Sequence, residues 1–439
     1  MGQGVLNGAV DRHGTGGSAL LFEDAGLERK GRSLYLGGVA LSEIAEGAGT
    51  PAYVYNAEVI RRQFGRLDRA LAEVPHRIAF AVKANANLAV LRVLRDLGAG
   101  ADIVSGGELA RALAAGFAPE RIVFSGVGKT DAELQAAVDA GIGHVHLEST
   151  AELEALADIV QRAGRPMRVG IRVNPDITAD THPYIATGQG GIKFGVPFDQ
   201  VMPLGIAVTR HPLLTLDTIA MHIGSQLLDA GPYAEGVGRL LEVVERLRGA
   251  GVGGITTLDI GGGLGIRYRD ESPLAPETLA GAVLPSVRGH GLALTLEPGR
   301  YLVGSAGLLL TGVLSRKHSG GKDLVIVDAG MNDLVRPSHY MAYHEMVETE
   351  AHGRPAAEVD VVGPVCETGD FLARDRTLPG LERGERLAVL GAGAYGFVMA
   401  SNYNTRPRPA EVMVDGGRWW VARPREELAD LYRTESVGP

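Results

Sequence analysis

The chain has 439 residues, 45% of them apolar, which is enough for more than one buried core and excludes a disordered polymer. A net charge of −9 with no basic run argues against nucleic acid as a partner, and a single cysteine, Cys366, excludes an internal disulfide framework. The N-terminus lacks a signal-peptide pattern and no apolar run approaches the ~18 residues of a membrane span, so a cytoplasmic protein of two domains is expected.

In chain order, the first strand-like piece is Ser33–Leu36, inside a segment 1–47 expected to join a later β domain. From residue 77 a repeating pattern sets in, with short β-branched runs alternating with amphipathic helices. The expected strands are Arg77–Val82, Ala101–Val104, Arg121–Phe124, His144–Leu147, Arg168–Val173, Thr218–Ile223, Thr256–Ile260 and Ala293–Leu296. Helical periodicity fills the intervals, for example Asn87–Leu97, Glu108–Ala115, Ala151–Ala163 and Tyr233–Arg248. Eight strands in alternation with helices read as a (β/α)8 TIM barrel, an α/β fold, over residues 48–309, with a doubly wound open sheet as the rival. After residue 310 helical periodicity fades. Runs at Gly307–Ser315, Leu324–Asp328, Ala357–Val362, Arg386–Leu390 and Glu411–Val414 predict a C-terminal all-β, barrel-like domain over 310–439.

A TIM barrel places its chemistry where strands end and loops begin. Those ends carry Lys83, Ser105, Ser125 with Gly126, Glu148, Arg172 with Asn174, His222, Gly261–Gly263 and Glu297. Lys83 closes an apolar strand, where partial desolvation would lower its pKa and free the amine for imine formation; alone, such a lysine more often snorkels or pairs. The glycines of Asp259-Ile260-Gly261-Gly262-Gly263-Leu264-Gly265 let backbone N–H groups close on a phosphate, or simply make a tight turn. His222 could lie against an aromatic ring and Ser225 could donate to a phosphate. A carboxylate such as Glu297 can hold a pyridine nitrogen protonated, and Arg300 can clamp a carboxylate. Cys366, beside Glu367, is a candidate proton donor rather than only a small buried hydrophobe.

Two phosphate motifs fail on inspection. Gly126-Val127-Gly128-Lys129-Thr130 looks like the tail of a P-loop, but Val123 stands where its first glycine belongs, and Gly391-Ala392-Gly393-Ala394-Tyr395-Gly396 has no βαβ unit around it. His144 and His146 share a strand face with no third ligand at metal-site spacing, so no metal is expected.

Taken together, the segments resemble the fold-type III pyridoxal-phosphate-dependent decarboxylases, whose barrel is also that of alanine racemase, and most closely the members that act on diaminopimelate. The likeness runs from about residue 33 to 430 and rests on AVKAN at Lys83, DIVSGGEL from Asp102, RVNPD from Arg172, HPYIATG from His182 and KFG at Lys193. It continues through HIGSQ at His222, DIGGGLG from Asp259, EPGR from Glu297, GMNDLVRPSHYMAYHE from Gly330, GPVCETGD from Gly363 and GAYGFVMASNYN from Gly393.

The resemblance implies that Lys83 holds pyridoxal 5'-phosphate as a Schiff base. Asp102, Ser225, Gly261, Gly262, Gly263, Gly299, Arg300 and Tyr395 would complete the cofactor set, with His222 stacked on the ring and Glu297 at its nitrogen. Cys366 would return a proton to the carbon that loses carbon dioxide. Arg300, Arg336, Tyr340, Glu367 and Tyr395 match substrate-binding positions. The Cys366 loop would come from a second subunit, which makes a homodimer with shared active sites. The implied reaction turns meso-diaminopimelate, a small amino acid, into L-lysine and carbon dioxide. Its rivals are a sibling decarboxylase for another, even carrier-tethered, amino acid, an alanine-type racemase, and an inactive pyridoxal-phosphate-binding relative.

Overall fold

The computed structural model describes residues 15–177 and 193–438, so the HPYIATG motif lies outside the described residues. A helix, α1 (Thr15–Ala25), leads into a small antiparallel sheet of β1 (Leu27–Lys30), β2 (Ser33–Leu36) and β3 (Val39–Ala40), followed by α2 (Leu41–Ala48). Their apolar side chains, Leu34, Leu36, Leu41 and Ile44 among them, form one cluster with Leu308, Leu310, Val412 and Val414 of the later sheet. The N-terminal segment therefore packs on the second domain, and Leu34 N–H donates to the Thr349 carbonyl at 2.8 Å.

Next come β4 (Ala52–Asn56), with every residue buried, and α3 (Ala57–Ala70), capped by the Asn56 side chain. The barrel follows as β5 (His76–Ala81), α4 (Leu88–Asp96), β6 (Gly100–Ile103), α5 (Gly106–Ala115), β7 (Ile122–Phe124), α6 (Asp131–Ala140), β8 (His144–Leu147) and α7 (Thr150–Ala163). It continues with β9 (Met167–Arg172), α8 (Phe198–Thr209), β10 (Leu214–Ala220), α9 (Gly231–Gly249), β11 (Thr257–Asp259), α10 (Pro276–Gly289) and β12 (Ala293–Leu296). All eight strands pair in parallel, and β12 closes on β5 with Leu296 opposite Ile78. These strands are short and largely buried because helices cover the outer face while side chains fill the interior.

Three helix starts read S/T-x-x-E. The Ser105, Thr130 and Ser149 hydroxyls accept from the N–H groups of Glu108, Glu133 and Glu152, and each glutamate reaches back to a backbone N–H at Val104, Thr130 or Glu148. Each cap is worth about 1 kcal/mol. They fix the angle at which chain leaves the barrel mouth, so Ser105 serves the scaffold rather than the chemistry.

A single turn, α11 (Arg300–Val303), leads to the second sheet, made by β13 (Gly307–Ser319), β14 (Lys322–Val327), α12 (Arg336–Tyr340), β15 (Met346–Glu348), β16 (Ala356–Val362), β17 (Phe371–Pro379), β18 (Arg386–Val389), β19 (Ala410–Asp415) and β20 (Arg418–Arg423). Its main path is β17-β16-β14-β13-β4-β19-β20, with β18 against β13 and β15 against β18. One boundary moves. Residues 48–56 were expected in the barrel, but β4 lies between β13 and β19, with Leu309 opposite Tyr53 and Val412 opposite Val54. The chain enters the barrel only after Asn56. Tyr53, Phe80, Leu309 and Met413 belong to one continuous core, so barrel and sheet share their packing.

Candidate active site

Lys83 sits in a 3-10 turn directly after β5, at the mouth of the barrel. Its Nζ donates to Asp102 Oδ2 at 3.1 Å, while Asp102 Oδ1 is buried without a hydrogen-bond partner. The expectation of a lowered lysine pKa is reversed. Burial does pull it down, but the Asp102 carboxylate, then Tyr395 and Glu297, outweigh that and hold Lys83 above its usual value as an ammonium.

Across the cavity is an acidic cluster that chain spacing conceals, because its members come from three strands. His146, Asp259 and Glu297 are buried and bring their ligand-type atoms within 4.8 Å of one another. The Ser125 hydroxyl donates to Glu297 Oε1 at 3.1 Å. Burial, then the Asp102 and Asp259 carboxylates, push Glu297 well above the carboxylate range, and burial pushes Asp259 up as well. His222 is neutral: burial pulls it well below 6.5, and its Nδ1 accepts from Gly262 N–H at 3.1 Å, which leaves Nε2 as the protonated nitrogen.

The glycine loop between β11 and β12 tolerates no side chain. A Cβ on Gly262 would lie 2.3 Å from the Glu297 carbonyl oxygen, and Gly261, at φ +69°, would place one 2.5 Å from the Met221 carbonyl oxygen. Beside the loop, Arg300 Nη2 donates to the Ser225 hydroxyl at 3.1 Å and Nη1 to the Tyr268 hydroxyl. Arg336 stacks over the same Tyr268 ring at 4.8 Å, and Arg300 lies 5.0 Å from the centre of the Tyr395 ring. Burial alone would raise the Tyr268 hydroxyl, but the two guanidinium groups hold it below the usual tyrosine value. Sequence reading missed Tyr268, His146 and Asp259 as site residues. No spacing signal marks Tyr268, whereas Asp259 stood in a quoted motif.

Two adjoining cavities result. One of about 320 Å³ is lined by Lys83, Ser125, His146, Arg172, His222 and Glu297; a niche of about 30 Å³ holds Ser225, Gly263, Gly299, Arg300 and Tyr395, and shares Lys83, His222 and Glu297 with the first. Tyr340 is close enough to act on the charge of Arg300. Cys366 and Glu367 line neither cavity. Both are exposed, with Cys366 N–H on Asn404 Oδ1 at 2.7 Å and Glu367 hydrogen-bonded by Tyr403. Glu148 and Arg172 pair at 2.9 Å, and Glu148 also accepts from Gly195 N–H. Lys129, of the rejected P-loop match, is buried on Glu152 and two carbonyl oxygens.

The comparisons agree with this arrangement. Residues 57–304 match the pyridoxal binding domain of the pyridoxal-dependent decarboxylases. The diaminopimelate decarboxylase of Pseudomonas aeruginosa is 48% identical over 406 residues, covering 92% of this chain and 97% of that protein. The chain belongs to the diaminopimelate decarboxylase family. The family member from Aquifex aeolicus is 47% identical over 402 residues, 91% of this chain and 95% of that one. The crystal structure of diaminopimelate decarboxylase from Helicobacter pylori complexed with L-lysine superimposes with a TM-score of 0.87 at 40% identity, covering 90% of this chain and 98% of that one.

The residues present fit the cofactor of the diaminopimelate decarboxylase family. A ring-sized cavity carries the Lys83 amine at one wall and the buried Glu297 carboxyl at another. The adjoining niche offers backbone N–H groups, the Ser225 hydroxyl and the Arg300 guanidinium, whose Nε is buried without a partner. That donor set suits a phosphate.

Proposed function

We propose that this protein decarboxylates meso-diaminopimelate to L-lysine, with pyridoxal 5'-phosphate held between Lys83 and Glu297. The carrying observation is the Lys83–Asp102 pair at 3.1 Å facing buried Glu297 across one cavity, with two buried arginines on Tyr268 beside it. The bound cofactor supplies an electron sink for the pair released as carbon dioxide leaves. Everything else falls to the chain's own side chains.

Asp102 receives the Lys83 ammonium whenever that nitrogen is not bonded to the cofactor. Glu297 keeps a proton at the ring nitrogen, and neutral His222 presents a flat face to the ring. Arg300, Gly263, Gly299 and Ser225 hold the phosphate, whereas the Gly261 and Gly262 N–H groups are spent on Asp259 and His222 and shape the loop. Arg336 and Arg300, with Tyr340 and Tyr395, read the carboxylates of the substrate, and Glu367 reads its distal ammonium. Cys366 Sγ delivers a proton to the carbon left by carbon dioxide. Because Cys366 and Glu367 are exposed and line neither cavity, they serve the site of a partner subunit, which makes the working unit a homodimer. A cytoplasmic location accords with a biosynthetic reaction, and among the described residues no helix is long and apolar enough to cross a membrane.

A decarboxylase for ornithine or lysine needs only acidic groups at the far end of its pocket, and two buried arginines disfavour that reading. The test is carbon dioxide release by purified protein with pyridoxal phosphate. Rates on meso-diaminopimelate should exceed those on L-lysine and L-ornithine by roughly thirtyfold or more, the consequence of orphaning a buried charge at about 2 kcal/mol. Equal rates on the three would reject the substrate assignment.

A further inference from the structure

A second cavity, of about 140 Å³, lies behind the glycine loop, walled by Asp24, Gln63, Arg66, Gly265–Arg267, Tyr301 and Ser305 among others. Tyr301 is 4% exposed and its hydroxyl has no hydrogen-bond partner. An orphaned buried hydroxyl costs about 1–3 kcal/mol, so this wall is built around a group that still needs an acceptor.

The neighbouring cations point the same way. Arg66 places Nε and Nη2 on Glu277 at 3.0 and 2.9 Å, which leaves Nη1 for a further acceptor. Arg267 gives Nε to the Glu271 carbonyl at 3.0 Å and meets Asp24 only at 3.4 Å. Each guanidinium already faces a carboxylate, Arg66 that of Glu277 and Arg267 that of Asp24, so the donors left over are the Tyr301 hydroxyl and Arg66 Nη1. A water needs roughly 10–15 Å³ by this measure, so the space suits a ligand of about six to ten heavy atoms.

We propose that this cavity binds a small monocarboxylate. Its carboxylate takes the Tyr301 hydroxyl and Arg66 Nη1, and because the wall's cations are otherwise paired, a monoanion costs less to seat there than a phosphate dianion. The site is also wired to the main cavity. Tyr301 follows Arg300 in the chain, and the Gln226 amide brackets Ile266, donating to its carbonyl at 2.6 Å and accepting from its N–H at 3.1 Å. By linkage, a ligand that shifts these segments alters affinity at the Arg300 niche, and the reverse.

The test is a calorimetric titration of protein saturated with pyridoxal phosphate, using sodium L-lactate, a monocarboxylate of fitting size. One saturable site per chain is expected. Tyr301→Phe, which removes only the orphaned hydroxyl and leaves unliganded thermal stability equal or higher, should weaken binding about tenfold, as should Arg66→Gln. Arg336→Gln, which lies outside this cavity's wall, should leave it unchanged. No saturable binding, wild-type affinity in Tyr301→Phe, loss confined to Arg336→Gln, or tighter binding of sodium phosphate than of lactate would each overturn the proposal.

Discussion

Arg336 uses its donors in two directions. Its Nη1 meets His344 Nε2 at 2.9 Å, and because His344 Nδ1 donates to the Leu390 carbonyl at 2.8 Å, Nε2 is the accepting nitrogen. Burial, reinforced by Arg336, brings His344 down to about 3, so it stays a neutral acceptor throughout the working pH range. The opposite side of the guanidinium stacks on Tyr268. Arg336 is thus both a brace between the Arg336–Tyr340 helix and the second sheet and a cation held at the pocket. Arg336→Ala should lower kcat/KM for meso-diaminopimelate by roughly 2–5 kcal/mol, while the visible absorbance of bound cofactor persists and the preference over L-lysine narrows. Equal losses on both substrates, together with a lower melting temperature, would assign the brace alone. At this scale the placement of Lys83 at the barrel mouth was legible from a lysine closing an apolar strand. The sign of its pKa shift was not, because that depends on Asp102, nineteen residues away on the neighbouring strand, and on Tyr395 in the other domain.

The glycine loop shows what an element can declare in advance. Three consecutive glycines at a strand end predicted close backbone approach, and the approach is to the Glu297 carbonyl at Gly262 and to Gly224 and Tyr233 at Gly263. A Cβ at Gly262 forces either this loop or the turn after β12 to shift. Gly262→Ala should cost about 1–3 kcal/mol in urea unfolding and also weaken retention of pyridoxal phosphate during dialysis. A variant with wild-type stability and cofactor content would show that the loop has slack. All eight barrel strands were readable from β-branched runs bounded by helices, because burial on both faces leaves an unbroken apolar signal. The strand at Phe371–Pro379 was not, since its half-exposed run FLARDRTLP interleaves charges, and Ala52–Asn56 offered only five residues between two helices.

At the scale of the whole molecule, the proposed homodimer would make the exposed Cys366–Glu367 loop and Lys83 two halves of one composite site. Lys83→Ala and Cys366→Ala proteins should each be nearly inactive. Mixed in equal amounts and allowed to exchange, they should recover at most about a quarter of wild-type activity, since half of the dimers are mixed and each carries one intact site. No recovery despite demonstrated exchange would place both residues in one chain's site. A different consequence follows from the strand Ala52–Asn56, which sits between Gly307–Ser319 and Ala410–Asp415 in the second sheet although the whole barrel is encoded between it and those two neighbours. As the chain leaves the ribosome, this fully buried strand emerges among the first elements, and its two neighbours emerge after the whole barrel. Most barrel strands meet partners a few dozen residues away, and even the closing pair of β12 with β5 is complete in the chain before Ala410–Asp415 emerges, so the barrel can close before the sheet. Until then Tyr53, Val54 and Tyr55 wait uncovered. The nascent protein is therefore most exposed to chaperones and to aggregation at a point that the finished fold buries completely.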